Sequence, residues 1–568
     1  MSELSPSGRY SAQDAFLHAN SKAYEWIIRQ MNAIARHKDE ETVLHWIQQA
    51  AEFAARFHAG RFADGAIENV AFHIGLTLGD PGVGSESFTG SIVSKQSKRR
   101  VLHLAYDVLG VGGLTRMLHY WVKHDRTSFH SIVLINQGDT PVPHWLRQAI
   151  SSNGGQLFIF PGYLPVGQKA QWLRTIAMQG ADLVVLHHCP FDVVPTVAFA
   201  VEQSPPVVVL NHADHQFWLG SSVSDLAINH RTEGANLVAA RRFIDKNVVI
   251  PVPLVDQREL LSRCEARRLL GIPEDQIMLL SVGRPEKYRP SGPYDFVSTA
   301  GKLLDRHPRA HVYVVGETPM GIGSYLRVPI HDRLHLVGAL EDPSPYRAAA
   351  DVYLESFPFG SQTALLEAVL AGVPPVPAYD PLFVLLVAND DAIHDLIPYP
   401  TDENEYIERV GFLIENTEWR KELANKLRTR LFIDHVGEGW LRRLAAIYEV
   451  TDRLVHRPRP IPISACNVDL ADIGLSLWHV MADGKDSSSG APLDGTKAVH
   501  CHTSFVARRI GNYATARRSA VKVVLEAPFQ WMSWRLLVVA ILGKYTEHIR
   551  HMINRIRLMQ QHPVRTII

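Results

Sequence analysis

ESFPFGSQTALLEAVLAGVPPVPAYD, residues 355–380, reads as a loop, a helix, a glycine stop and a short buried strand. Pro358 and Gly360 break regular structure, and Ser361, Gln362 and Thr363 then offer hydroxyl and amide groups at a helix start. Ala364, Leu365, Ala368 and Leu370 form an apolar stripe, Gly372 ends the helix, and Val373 to Pro377 leads away. Unpaired backbone N–H groups at such a start, with hydroxyls beside them, suit a phosphate. Glu367 sits about one turn inside, where a carboxylate can accept hydrogen bonds from a ribose diol. The stretch holds the parts of a nucleotide-diphosphate clamp. The plainer reading is an ordinary loop between a helix and a strand.

Upstream of this segment, short apolar runs alternate with helical patterns. VLHLAY, SIVLIN, QLFIF, LVVLHH and VVVLNH read as strands of one domain, and IMLLSVG, HVYVVGE, LHLVG, DVYLE and PPVPA as strands of a second. Apolar strands separated by helices imply parallel sheets covered on both faces. The fold class is therefore α/β with two Rossmann-like domains. Residues 1–78 read as a helical N-terminal domain, from the spacing of Phe16, Tyr24, Ile27, Ile47 and Phe53. Residues 79–100 are Gly/Ser-rich and linker-like, 101–250 form the first Rossmann-like domain and 251–456 the second. Residues 457–568 form a linker and a basic, amphipathic helical extension. VVIPVPLVD, residues 248–256, is the expected crossing between domains, and a helix from about Glu438 to Val450 is expected to return toward the first.

Three further constellations carry chemistry. Gly110, Gly112 and Gly113 follow the first strand and precede a helix bearing Arg116, so backbone there can approach a ligand; a dinucleotide fingerprint would need a third glycine at Thr115. The alternative is a tight turn without a ligand role. SVGRPEKYRP, residues 281–290, puts Arg284 and Lys287 at a strand end, where open α/β sheets bind ligands and two cations can neutralise a diphosphate. The alternative is a solvated basic loop. NHADHQFWLGSSVSDLAINHR, residues 211–231, reads as a loop and helix that gather His212, Asp214 and His215. A His or Asp here can deprotonate a hydroxyl, contact substrate, or simply hold structure. A zinc site on His212 and His215 lacks a third ligand at sensible spacing. His187 and His188 end another strand and stand behind these as candidates.

FPFGSQTALLEAVLAGVPPV resembles the donor-site segment of GT-B glycosyltransferases, closest to the O-GlcNAc transferases and the bacterial adhesin-modifying N-glycosyltransferases. The GG-x-x-R pattern at Gly112, Gly113 and Arg116 is similar to the first-domain glycine loop of that fold. The resemblance implies a hexosyltransferase that needs no metal and no resident cofactor. It would use a nucleotide-sugar, more specifically a UDP-sugar, as co-substrate. Arg284, Lys287, Ser361, Gln362, Thr363 and Glu367 would bind the donor, and His212, Asp214 or His215 would act as base. The retaining group with two glutamates eight residues apart would need an acid at Phe359, and that departure tilts the expectation toward inversion. The acceptor is a protein, a lipid-linked glycan or a polysaccharide. The rivals are an epimerase of the same fold and an inert scaffold.

Composition narrows the class. The 568 residues carry 58 basic and 58 acidic side chains, which argues against a nucleic-acid binder. Four scattered cysteines and the lack of a signal-peptide core or a spanning apolar run lead us to expect a cytoplasmic protein. From Cys501 onward, eleven Lys/Arg face two acids, Glu526 and Glu547. With Trp531 and Trp534 ahead of the apolar run Leu536 to Leu542, this tail suits docking on an anionic membrane; the alternative is packing on protein.

Overall fold

The computed structural model describes residues 11–36, 39–79, 98–110, 113–187, 189–256, 261–290, 294–323, 326–379, 390–482, 496–543 and 545. The chain divides into two compact units. One takes Met1–Gln30, Phe57–Gly60 and Cys466–Ile568; the other takes Met31–Arg56 and Arg61–Ala465. The sequence groups residues 1–78 together, whereas the structure splits them between these units.

The larger unit holds two parallel sheets. The first has seven strands: β1 (Arg99–Ala105), β2 (Ser128–Leu134), β3 (Leu157–Ile159), β4 (Leu183–His187), β5 (Val207–Leu210), β6 (Leu226–Asn229) and β7 (Asn247–Val249), in the order β3-β2-β1-β4-β5-β6-β7. The second has five: β8 (Ile277–Val282), β9 (Ala310–Val315), β10 (Leu334–Gly338), β11 (Val352–Leu354) and β12 (Pro375–Val376), ordered β10-β9-β8-β11-β12. Each sheet therefore starts from a central strand, winds outward, and returns to wind the other way. Its switch point lies between β1 and β4 in the first sheet and between β8 and β11 in the second. Loops at the carboxyl ends of those strand pairs form the crevice where such sheets take ligands.

Valine and leucine runs make these strands because both faces are covered. LVVLH of β4 and VVVL of β5 are buried throughout. Leu226–Asn229, inside the segment read as loop and helix, is strand β6, and Asn247–Val249 at the expected crossing is β7. Each is only three or four residues, too short for periodicity to separate strand from helix. The helix Glu438–Thr451 packs Trp440, Leu444, Ile447 and Tyr448 against Trp121, Leu183, Val208 and Ile228, so it closes on the first sheet as expected. With that helix returned, the larger unit has the GT-B architecture.

The smaller unit is helical. His58 bonds Asp472 at 2.6 Å, and Asn20 donates to Ser476 while accepting from His502, which ties the two ends of the chain together inside this unit. Its last described helix, Trp531–Leu542, packs Leu536 and Leu537 on a cluster of Ala507, Ala516, Ala520 and Ala540. Its other face leaves Trp531, Trp534, Val538 and Ile541 exposed. Residues 546–568, the remainder of the basic tail, lie outside the described residues.

Candidate functional site

At the second switch point, β8 leaves the sheet at Gly283 and turns through Pro285–Tyr288. A side chain at Gly283 would meet Ser361 Oγ at 3.0 Å, and one at Gly316, where φ is +114°, would strike the Gly283 carbonyl at 2.0 Å. The two glycines let the turn lie flat against the loop that follows β11. Lys287 then reaches across. Its Nζ donates to the Gly360 carbonyl at 2.6 Å and stands 4.6 Å from the centre of the Phe359 ring. Beside it, Glu355 at the end of β11 is fully buried; one oxygen accepts from the Ser361 N–H, and Oε2 has no hydrogen-bond partner among the described residues. Burial pushes the Glu355 carboxyl up and the Lys287 ammonium down, each opposed by the other's charge. Ser356 Oγ donates to the Phe359 carbonyl at 2.8 Å and fixes the loop between them.

The helix foreseen after this loop runs Gln362–Leu370, with Ser361 at its N-cap and Gly372 beyond it at φ +86°. The Ser361 side chain makes no capping bond, so the hydroxyl stays near Ser356 instead of turning back on the helix. Thr363 is exposed, and Gln362 contacts Asp390. Arg284 does not join this cluster: its side chain is 74% exposed and pairs with Glu286 at 2.9 Å. Glu367 is engaged already, by Arg347 at 2.9 Å and by Arg116 from the first domain at 3.8 Å.

On the first-domain side, Gly112 lies outside the described residues, and Gly113 opens the helix Gly113–His124 that carries Arg116. Nothing lies near a side chain added at Gly113, so packing does not demand a glycine there. Asp214, offered as a base, is gripped by Arg231 through two bonds of 2.6 and 2.9 Å. The guanidinium holds this buried carboxylate far below its ordinary range despite the opposing effect of burial, which makes it a poor proton acceptor. His215 lies 3.6 Å from Asp214, with its ring 5.3 Å from Phe359. Burial first, and the charges of Arg231 and Lys287 besides, push this imidazole below its ordinary range, against the opposing pull of Asp214. His212 stacks between His187 at 5.8 Å and His230 at 5.4 Å. The two domains thus meet at His215 with Phe359, at Arg116 with Glu367, and at Thr232, which donates to Asp391 at 2.7 Å.

Glu355 and Arg231 were missed in the sequence. Glu355 had a signal, since it is the only acid at the carboxyl end of the strand DVYLE, beside the switch point; spacing counted back from Glu367 led instead to Phe359. Arg231 gave none, because its pairing with Asp214 exists only once β6 has turned the chain back. Among the described residues, no group of three or more His, Cys, Asp or Glu is arranged to hold a metal.

No family model matches this chain, and no curated protein matches it. Among solved structures, it is similar to a glycosyltransferase from Rickettsia africae, at 11% identity and a TM-score of 0.47 over 63% of this chain and 100% of that one. An O-GlcNAc transferase from Thermobaculum terrenum matches at 14% identity and TM-score 0.46, over 77% of this chain and 82% of that one. The HepE protein of Anabaena, solved with UDP and glucose, matches at 16% and 0.45, over 62% and 100%. The assignment of the architecture rests on the two sheets described above, and the chemistry rests on the residues.

Proposed function

We propose that this chain is a glycosyltransferase that moves a sugar from a UDP-sugar to an acceptor hydroxyl in the cleft between its two sheets. The observation that carries this reading is Lys287, held at the end of β8 above the start of the helix Gln362–Leu370 and beside Glu355. An ammonium has three donors, and the Gly360 carbonyl uses one. The ammonium thus sits beside a helix N-terminus, a pairing that neutralises a diphosphate and stabilises the charge on a departing nucleotide. Ser361, Gln362 and Thr363 complete the phosphate contacts. Glu367 serves the ribose, with Arg116 and Arg347 orienting it. Arg284, exposed on the same loop as Lys287, is a further donor contact in this reading. His212 and His215 line the acceptor face as contacts, and Asp214 fixes the His215 ring. The reaction uses no resident metal or cofactor.

The acceptor is a protein, a lipid-linked glycan or a polysaccharide, and the enzyme works in the cytoplasm. No helix among the described residues is long and apolar enough to cross a membrane. The exposed row Trp531, Trp534, Val538 and Ile541, with Phe529 fully exposed ahead of it, supports docking of this helix on an anionic lipid surface.

The test is a panel of UDP-sugars incubated with the protein, with and without acceptors, followed by detection of UDP and of the sugar. UDP release coupled to an extended acceptor supports transfer. An epimerised or free sugar without acceptor product would favour the epimerase, and no turnover with no binding would favour the scaffold.

A further inference from the structure

The first sheet encloses a feature that the donor clamp does not use. Three buried histidines on three neighbouring strands form one hydrogen-bonded line. Asp125 Oδ2 meets His130 Nε2 at 3.0 Å; His130 Nδ1 meets His103 Nε2 at 2.9 Å; His103 Nδ1 meets His187 Nε2 at 2.9 Å. His130 begins the line on β2, His103 continues it on β1, and His187 ends it on β4, at the first switch point. All three rings are essentially inaccessible.

The order of protons along this line follows from Asp125. Its Oδ1 accepts from the Thr127 N–H and hydroxyl, and its Oδ2 accepts from the Tyr448 hydroxyl as well as from His130. Such a group acts as a carboxylate that only accepts. His130 then carries a proton on Nε2, and in the neutral ring Nδ1 is left to accept from His103 Nε2–H. His103 Nδ1 in turn accepts from His187 Nε2–H. The last atom, His187 Nδ1, is left with a bare lone pair, and it has no hydrogen-bond partner among the described residues. His187 lines a cavity of about 20 Å³ together with Cys189, Asp192, Trp218 and apolar neighbours, room for about one water.

We propose that His187 Nδ1 is the proton acceptor of the cleft, fed through that water, and that the line Asp125–His130–His103–His187 carries the charge away from the reacting groups. The step balances. The acceptor hydroxyl gives its proton to the water, which gives one to His187 Nδ1. His187 passes its Nε2 proton to His103 Nδ1, and His103 passes its Nε2 proton to His130 Nδ1. His130 becomes the imidazolium, beside the Asp125 carboxylate. After the nucleotide leaves, the protons shift back along the line, His187 Nδ1 returns one to the water and so to solvent, and every ring regains its first tautomer.

Moving the charge matters because His187 cannot keep it. Burial drives this imidazole down to about 3, with His230 adding to the effect, and His103 is driven down too by burial and by its two neighbours. The rings of Trp121 and His212 and the groups Cys189 and Asp192 also face His187, and burial raises both the Cys189 thiol and the Asp192 carboxyl, so neither supplies a compensating charge at neutral pH in full. The carboxylate held in the charged form lies at the far end, beside His130. His103, His130 and Asp125 are positioning residues; His187 is the group that meets the proton.

This inference rests on the glycosyltransferase reading for its role and on the tautomer order for its existence, and the two can be measured apart. Full-length protein labelled with 15N-histidine should show His187 Nδ1 as a bare, pyridine-type nitrogen and Nε2 as the protonated one, near pH 7. A protonated Nδ1 would overturn the proposal. Asp125→Asn should reverse the line: the Thr127 N–H can only donate, so the amide oxygen faces it and the NH2 turns to His130. His187 Nδ1 should then be protonated, and kcat with a UDP-sugar should fall on the order of 100-fold with donor KM unchanged, the scale of a lost general base. Reversed tautomers with wild-type kcat would also overturn the proposal. Should no UDP-sugar be turned over, the function reading falls, and the wild-type spectrum alone then supports or overturns the line.

Discussion

The two sheets of the larger unit share a strand order yet place opposite chemistry at their switch points. Between β8 and β11 the chain sets a cation, Lys287, over a helix start, with Glu355 beneath to share its field. Between β1 and β4 it sets a buried row of hydrogen-bonded imidazoles that ends at His187 Nδ1, which has no hydrogen-bond partner among the described residues. Topology makes each switch point a place where such sheets can take a ligand, and the side chains there decide which. In the reading proposed above, the second sheet takes the anion and the first takes the proton, one of each for glycosyl transfer.

The comparison breaks most readily on the first-domain side. Arg231→Ala would leave Asp214 as an uncompensated charge in a largely buried site, and should destabilise the protein by roughly 3–5 kcal/mol. Denaturant unfolding measures this. A loss below about 1 kcal/mol would mean that the ion pair is not the support of the His215 loop. On the second-domain side, Lys287→Ala should lower turnover of a UDP-sugar by on the order of 100-fold or more while the melting temperature stays near wild type. A near wild-type rate would remove the anion-binding half of the contrast.

A smaller effect comes from Glu355. Burial raises its folded pKa above the ordinary 4.5, so the folded chain keeps a proton that the unfolded chain releases. Its contribution is full below about 4.5 and is lost as pH rises through the folded value, because the folded state binds more protons over that window. Comparing melting temperatures at pH 5 and pH 7, wild type should decline by a few degrees more than Glu355→Gln, at about 2–4 °C per kcal/mol for a large domain. Parallel curves would show that Glu355 is ionised in the fold like any exposed acid. The smallest effect expected is on location. Full-length protein should cosediment with anionic liposomes, and a chain cut at Ser488 should not; salt should weaken the binding. Equal, salt-insensitive recovery of both in the supernatant would leave the Trp531 face without a lipid partner.

Much of the second sheet and its switch point was legible in the sequence. Valine and leucine runs disclosed the strands, and Pro358, Gly360 and Gly372 bracketed the helix that the structure places at Gln362–Leu370. Lys287 could be placed because a strand end fixes the residues just after it. The contacts at the first sheet's switch point were not legible, because the partners are remote. His103 and His187 are 84 positions apart, and Asp125 and Tyr448 are 323 apart, so no local spacing announces either contact. Histidines inside strands such as VLHLAY look like ordinary core residues until the sheet order brings them into line. The same remoteness hid the union of residues 11–30 with the C-terminal helices in one compact unit.

The most direct test of the central claim is calorimetric titration of UDP into wild-type protein and into Lys287→Ala. The account predicts saturable binding by wild type at micromolar to millimolar UDP, accompanied by a raised melting temperature, since a ligand that binds only the folded state stabilises it by mass action. It predicts at least tenfold weaker binding by the variant. No heat of binding and no thermal shift in wild type at millimolar UDP would contradict it.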